Sequence, residues 1–166
     1  MTAHFAQDNA KTIDAGRLWA GGAATAVVCA LIAVVGVLLA RGVFDVAVLA
    51  PEGEGTWGDA DTGKYALFAA LGALVATGLL HLLLLSTPRP LRFFGWIIAL
   101  ATVAAALAPL ATNASTESKV ATGLINLVIG IAIGSLLTGA ARMAVRYRPA
   151  GPAPGAPGAP GAPGAR

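Results

Sequence analysis

Four long apolar runs, none of which contains Asp, Glu, Lys or Arg, constrain this chain more than any other feature of its sequence. They comprise residues 18–40, 65–85, 93–111 and 120–141. Each run is close to the roughly 20 residues that a helix needs to cross about 30 Å of hydrocarbon. A membrane-spanning strand needs only about 10 residues and alternates in polarity, whereas these runs are apolar on every face. We therefore predict four transmembrane helices, because a helix satisfies its own backbone hydrogen bonds in lipid.

The composition supports this prediction, since 57% of the 166 residues are hydrophobic and only 11% are charged. Soluble domains carry about 25% charged residues. A surface so poor in charge must meet lipid, so the bilayer is the first partner that we expect. The basic residues are scattered between the apolar runs and form no patch with interleaved aromatic residues, so we expect no binding of nucleic acid.

Lysine and arginine set the predicted orientation, because cytoplasmic loops carry an excess of both. With the N-terminus inside, eight of the eleven basic residues lie on the cytoplasmic side and three lie outside. We therefore predict a multi-pass protein of the plasma membrane with both termini in the cytoplasm. The inner residues are Lys11, Arg17, Arg89, Arg92, Arg142, Arg146, Arg148 and Arg166, and the outer ones are Arg41, Lys64 and Lys119.

The predicted fold class is all-α, an antiparallel bundle of four transmembrane helices with a disordered C-terminal tail. Residues 1–16 are predicted to be a disordered cytoplasmic leader, and residues 17–148 the four-helix membrane domain. Residues 149–166 repeat Gly, Ala and Pro and are predicted to be a disordered cytoplasmic tail of partly polyproline character. Pro88 and Pro90 are expected to end the second helix and to stiffen a tight inner link.

The fourth run carries a face of small and polar residues that includes Asn126, Gly130 and Gly134. Small residues let helix backbones approach closely in lipid, and an amide can hydrogen-bond across the contact. We interpret these three residues as helix-packing positions inside the bundle, and a homodimer interface is the alternative. The expected partner face lies on the second helix and consists of Ala70, Ala73, Thr77 and His81.

Two residues are candidates for a function beyond packing. His81 is an ionisable side chain within an apolar run, and such groups often handle protons or ligands. It lies only about 6 Å from the end of its run, where a structural hydrogen bond to Thr77 is the alternative. Trp57 lies in the predicted outer loop, where it either folds back onto the membrane surface or anchors a partner.

The sequence indicates no cofactor, no metal site and no catalytic residue. Residues 59–63 resemble the start of a calcium-binding loop, but the third carboxylate and the closing glutamate are missing. Cys29 is the single cysteine, so an intrachain disulfide and a four-cysteine zinc site are excluded. Phosphate-binding loops, paired carboxylates and Ser-His-Asp sets are absent from the sequence.

Several segments together resemble an uncharacterised actinobacterial family of small four-helix integral membrane proteins. The similar segments are RLWAGG at 17–22, LAPEGEG at 49–55, WGD at 57–59 and HLLLLSTPRP at 81–90. The resemblance extends from Arg17 to about Arg142. It implies residence in the plasma membrane and places His81 in a recurrent pattern, and it implies no particular activity.

Three functions are compatible with these observations. The first is a non-enzymatic accessory or scaffold protein that binds another membrane protein or a second copy of itself. The second is a small transporter or channel acting as a homo-oligomer, although four-helix multidrug exporters need a carboxylate in the first helix, which this chain lacks. The third is a membrane enzyme, although a thiol oxidoreductase of this size would need paired cysteines. We expect the first function and no enzymatic activity.

Overall fold

Four helices and two short strand pairs make up the protein in the computed structural model, which describes residues 11–52, 56–59 and 61–147. Helix α3 continues into a 3₁₀ turn at Ala108–Ala111. The elements in chain order are β1 (Lys11–Ile13), α1 (Ala15–Gly42), β2 (Leu49–Glu52), β3 (Thr56–Asp59), α2 (Thr62–Ser86), α3 (Pro90–Leu107), α4 (Thr116–Ala144) and β4 (Val145–Tyr147).

All four helices are long and apolar enough to cross a membrane. They comprise 28, 25, 22 and 29 residues when the 3₁₀ turn is counted with α3. Large apolar side chains remain exposed along them, as Val75 with 73% and Leu100 with 67% of their surface accessible show. The predicted fold class, an all-α protein with four such helices, is confirmed.

All four helices begin earlier than their apolar runs, and in three of them a side chain outside the apolar stretch caps the start. The Asp14 carboxylate accepts a hydrogen bond from the Arg17 amide at 3.1 Å, and α1 starts at Ala15. Asp61 caps α2 in the same way, and Ser115 caps α4. A capping oxygen satisfies one of the N–H groups that a helix leaves unpaired at its start. These three capped helices are therefore longer than the predicted runs, each of which begins directly after a charged residue.

Prolines define both ends of α3. Pro90 occupies the first turn of the helix, where a proline removes no intrahelical hydrogen bond, so this residue starts α3 rather than standing in the link before it. The link between α2 and α3 is thereby reduced to residues 87–89. At the other end the regular helix stops at Leu107, because Pro109 has no N–H to donate to the carbonyl of Ala105.

The strands were not predicted. Part of the leader, Lys11–Ile13, pairs antiparallel with Val145–Tyr147, and the Asp14 amide donates to the Ala144 carbonyl at 3.0 Å. Residues 11–16 of the predicted disordered leader therefore belong to β1, the cap at Asp14 and the start of α1, and residues 1–10 lie outside the described residues. The predicted disordered tail at 149–166 also lies outside them. The second pair, β2 with β3, forms an antiparallel hairpin within the loop between α1 and α2.

The helices alternate in direction, which gives the bundle two distinct ends. The termini end carries β1, β4 and the α2–α3 link, and the hairpin end carries β2, β3 and the α3–α4 link. Helix α1 packs against α2 and α4, while α3 packs mainly against α4. One apolar core near the hairpin end includes Cys29, Ala33 and Ile125, and a second near the termini end includes Leu80, Phe94 and Leu137.

Candidate functional site

Asn126 joins three helices at one point. Its amide nitrogen donates to the carbonyl of Ala105 in α3 at 2.8 Å, and its amide oxygen accepts from the hydroxyl of Tyr65 in α2 at 2.6 Å. The carbonyl of Ala105 would ordinarily accept from the residue four positions later, which is Pro109 and has no N–H. Asn126 thus supplies the donor that the proline removes.

Gly130 and Gly134 lie on the same side of α4 and face α3. A Cβ atom added to Gly130 would overlap the side chain of Thr102, and one added to Gly134 would lie 3.3 Å from Cγ2 of Ile98. One turn before Asn126, a Cβ on Gly123 would lie 2.8 Å from the carbonyl oxygen of Ala106. The small face of α4 therefore meets α3 within the bundle, at backbone-to-backbone distance.

The expected partner face on α2 does not contact the α4 seam, which is the face of α4 that contains Gly123, Gly130 and Gly134. Thr77 packs instead against Gly22 of α1, where an added Cβ would lie 2.5 Å from the threonine side chain. Thr77 and Thr102 each donate their hydroxyl to the carbonyl four residues earlier in their own helix, at 2.8 and 2.7 Å. Each hydroxyl is thereby satisfied without a partner helix. A glycine thus packs against a threonine at two helix contacts. Gly22 of α1 faces Thr77 of α2, and Gly130 of α4 faces Thr102 of α3.

His81 is half-buried on α2 toward the termini end. Its Nδ1 atom is buried and has no hydrogen-bond partner among the described residues. The alternative bond to Thr77 does not form, because the Thr77 hydroxyl donates to the carbonyl of Ala73. His81 and Asn126 are therefore separate features, near opposite ends of the bundle, and the structure does not bring them together in one site.

Trp57 lies on β3 and pairs with Pro51 of β2 in the hairpin, and its side chain is outside the described part of the chain. The hairpin is attached to the bundle by the Leu49 amide, which donates to the hydroxyl of buried Thr122 in α4 at 2.9 Å. Thr122 donates that hydroxyl in turn to the carbonyl of Ser118 at 2.7 Å. The hairpin is thus positioned by α4.

The carboxylate of Asp61 caps the start of α2. It accepts hydrogen bonds from the amides of Lys64 at 3.2 Å and Gly63 at 2.8 Å, and these bonds lower the pKa of Asp61 below its ordinary value. No group of three or more His, Cys, Asp or Glu residues within the described ranges could hold a metal ion.

Two concave features were not predicted from the sequence. At the hairpin end, a groove of about 940 Å³ between α1 and α4 is lined almost entirely by apolar side chains, among them Leu31, Val35 and Leu124. At the termini end, a pocket of about 450 Å³ lies between the start of α3 and the end of α4. Three arginines, Arg89, Arg92 and Arg142, line this second pocket. The sequence contains one signal for this second pocket. In an antiparallel order of four helices, the α2–α3 link and the last turn of α4 lie at the same end of the bundle, which brings their arginines close together.

No curated protein and no solved structure matches this chain significantly. A family of unknown function, DUF6069, matches residues 13–143. This match runs from the last residue of β1 into the last turn of α4 and so covers the whole bundle with its hairpin. The chain therefore belongs to DUF6069, a family of unknown function.

Proposed function

We propose that this protein is a multi-pass plasma-membrane protein that acts without catalysis, as an accessory or scaffold subunit for another membrane protein. The observation that carries the proposal is the use of polar groups within the spans. The amide of Asn126 and the hydroxyls of Thr77 and Thr102 all form hydrogen bonds inside the bundle. Because these groups already donate their hydrogen bonds to the protein's own helices or side chains, they favour a structural role over lining a path for an ion or acting on a substrate.

His81 is the polar side chain in the spans that fits this account least well, because its Nδ1 is buried without a partner among the described residues. It lies five residues before the end of α2, or about 8 Å along the helix. Its position near the boundary, rather than at mid-membrane, favours a structural role over proton transfer across the bilayer.

Both termini are proposed to lie in the cytoplasm. The eight-to-three division of the basic residues supports this orientation. The pairing of β1 with β4 at one end of the bundle agrees with it, because it requires the start of α1 and the end of α4 to be on the same side. The bias toward Ala, Gly, Arg and Pro is typical of a high-GC actinobacterium and supports the plasma membrane as the location.

The proposal is tested by isolating the tagged, full-length protein from its native membrane in mild detergent and identifying what copurifies. A stoichiometric membrane-protein partner is the expected result. Photo-crosslinkers at Leu124, inside the groove between α1 and α4, and at Val75 on α2 then compare two separate lipid-facing surfaces. A partner occupies one face, so we expect a defined adduct from only one of the two positions.

Purification as a homo-oligomer without any partner, with equal lipid adducts at both positions, would contradict the accessory role. It would favour the alternative of a small transporter or channel acting as a homo-oligomer. Proteoliposome flux measurements with the purified oligomer would then follow directly.

A further inference from the structure

The pocket at the termini end combines a concentration of positive charge with an apolar lining. Its volume is about 450 Å³, and its charged residues are Arg89 in the α2–α3 link, Arg92 in the first turn of α3 and Arg142 in the last turn of α4. All three arginine side chains are exposed to the surroundings of the protein. Arg89 and Arg92 are neighbours in sequence, and the folded bundle brings Arg142 of α4 to the same pocket.

No acidic side chain in the described residues neutralises these arginines. The Asp14 carboxylate is paired with Arg17 instead, at 3.8 Å. Six of the eight acidic residues of the sequence lie between α1 and α2 or in the first turn of α4, toward the hairpin end. The remaining two are Asp14 and Asp8, and residues 148–166 contain no acidic residue. The pocket therefore carries a net positive charge that the acidic side chains of the described residues leave uncompensated.

The start of α3 adds to this potential. Its first residues, Pro90 to Arg92, line the pocket, and the helix has no side-chain cap at this end. Pro90 has no N–H and the Arg92 amide donates to the carbonyl of Arg89 at 3.2 Å, so the Leu91 amide and the helix dipole are what favour an anion at this helix start. At the opposing end of α4, two of the last carbonyls are already paired, because Ala144 accepts from the Asp14 amide and Ala141 accepts from the Val145 amide.

The remaining lining distinguishes a lipid from a free anion. Leu84, Leu91 and Ala141 form apolar walls beside the arginines, and the exposed aromatic side chains of Phe93 and Trp96 follow within the next turn of α3. Exposed aromatic residues of this kind mark the level of lipid headgroups. A phosphate held by the arginines would thus have hydrocarbon directly beside it, as a phospholipid requires.

We propose that this pocket binds the phosphate of an anionic phospholipid, with the arginines around the headgroup and the first part of an acyl chain against the apolar walls. Basic pockets between transmembrane helices bind anionic headgroups in this manner. The inference rests on the membrane placement proposed above, and it is independent of whether the protein has an accessory role. In the proposed orientation the lipid belongs to the cytoplasmic leaflet.

The test uses the purified full-length protein in detergent and measures lipid binding by native mass spectrometry. The probes are phosphatidylglycerol, phosphatidylcholine with the same acyl chains, and water-soluble glycerol phosphate. We expect phosphatidylglycerol to bind at least tenfold more tightly than phosphatidylcholine. The double variant Arg89→Gln/Arg92→Gln should lose about 30-fold in affinity for phosphatidylglycerol, because each arginine near the headgroup contributes about fivefold.

A matched control, Lys64→Gln/Lys119→Gln, removes the same charge at the hairpin end and should bind phosphatidylglycerol like the parent. Equal losses in the two double variants would overturn the proposal, since the effect would then be one of overall charge. Binding of phosphatidylglycerol by Arg89→Gln/Arg92→Gln at the parent's affinity would also overturn it. Full competition by glycerol phosphate with phosphatidylglycerol at equal concentration would also overturn the proposal, because the ligand would then be a soluble phosphate compound and not a lipid.

Folding is checked separately by circular dichroism and thermal unfolding of each variant. Should the double variant unfold, Arg142→Gln changes the pocket from the α4 side alone and should reduce the affinity about fivefold. An unchanged affinity in this folded variant would refute the site. Copurification of a protein partner is measured independently, so loss of the lipid site and failure of the accessory role give different results.

Discussion

The substitution Gly123→Ala tests how closely α3 and α4 approach each other. A Cβ atom at position 123 would lie 2.8 Å from the carbonyl oxygen of Ala106, about 0.6 Å short of the 3.4 Å at which ordinary contact begins. That oxygen belongs to the backbone, so it cannot rotate away as a side chain would. The helices must separate at this point for the alanine to fit.

The separation has a second consequence one turn further along α4. The amide nitrogen of Asn126 lies 2.8 Å from the carbonyl of Ala105, and a shift of about 0.6 Å would stretch this bond beyond a good hydrogen-bond distance. Overpacking costs about 1–3 kcal/mol, and a hydrogen bond between helices in lipid contributes about 0.6 kcal/mol. Alanine returns up to about 1 kcal/mol through its higher helix propensity. We therefore expect Gly123→Ala to destabilise the protein by about 1–3 kcal/mol.

The assay is thermal unfolding of both the variant and the parent in the same detergent, where the expected loss corresponds to a Tm lower by roughly 3–10 °C for a chain of this size. Gly139→Ala is the matched control on α4, because an added Cβ there meets nothing within 4 Å. Its Tm should equal or slightly exceed that of the parent. If Gly123→Ala melts at or above the parent temperature, the close contact of α3 and α4 is wrong.

Three further predictions follow from other contacts. Asn126→Leu leaves the carbonyl of Ala105 and the hydroxyl of Tyr65 unpaired, so the Tm of this variant in detergent should fall further than the Tm of Tyr65→Phe. Equal Tm values would contradict the contact of three helices at Asn126. An NMR titration should place the pKa of Asp61 below the ordinary 3.9. The carboxylate then caps α2 fully at neutral pH, and the cap is lost as the pH falls through the lowered pKa. A titration midpoint at or above 3.9 would contradict the cap. Deletion of residues 151–166 should leave insertion and Tm unchanged, because a Gly-Ala-Pro tract buries too little surface to offset its ordering entropy, and a lower Tm would show that the tail docks.

The number and type of the helices could be predicted because each apolar run satisfies two separate requirements. It is long enough to cross hydrocarbon, and it carries no side chain whose charge would forbid that environment. The helix ends could not be read in the same way. Asp14, Asp61 and Ser115 extend three helices past the charged boundary, and capping residues are recognised only when the start of the helix is already known.

The partner of the α4 seam could not be predicted from composition. Glycines and threonines occur on several helices, and spacing identifies a face without showing which neighbour it meets. Pro109 was the available signal, because it leaves the carbonyl of Ala105 without an intrahelical donor and so calls for one from a neighbouring helix. Asn126 meets that need and so holds α4 against α3, while its amide oxygen also accepts from Tyr65 of α2. The strand pairs escaped prediction because each is only three or four residues long.

Cysteine labelling in intact cells tests the proposed membrane topology most directly. In a Cys29→Ala background, single cysteines replace Glu54 in the loop between β2 and β3 or Arg148 after β4. A membrane-impermeant maleimide should label the first variant in intact cells and the second only after the membrane is opened. Labelling of the cysteine at position 148 in intact cells would contradict a cytoplasmic C-terminus. If the cysteine at position 54 were in addition labelled only after the membrane is opened, the entire bundle would have the opposite orientation.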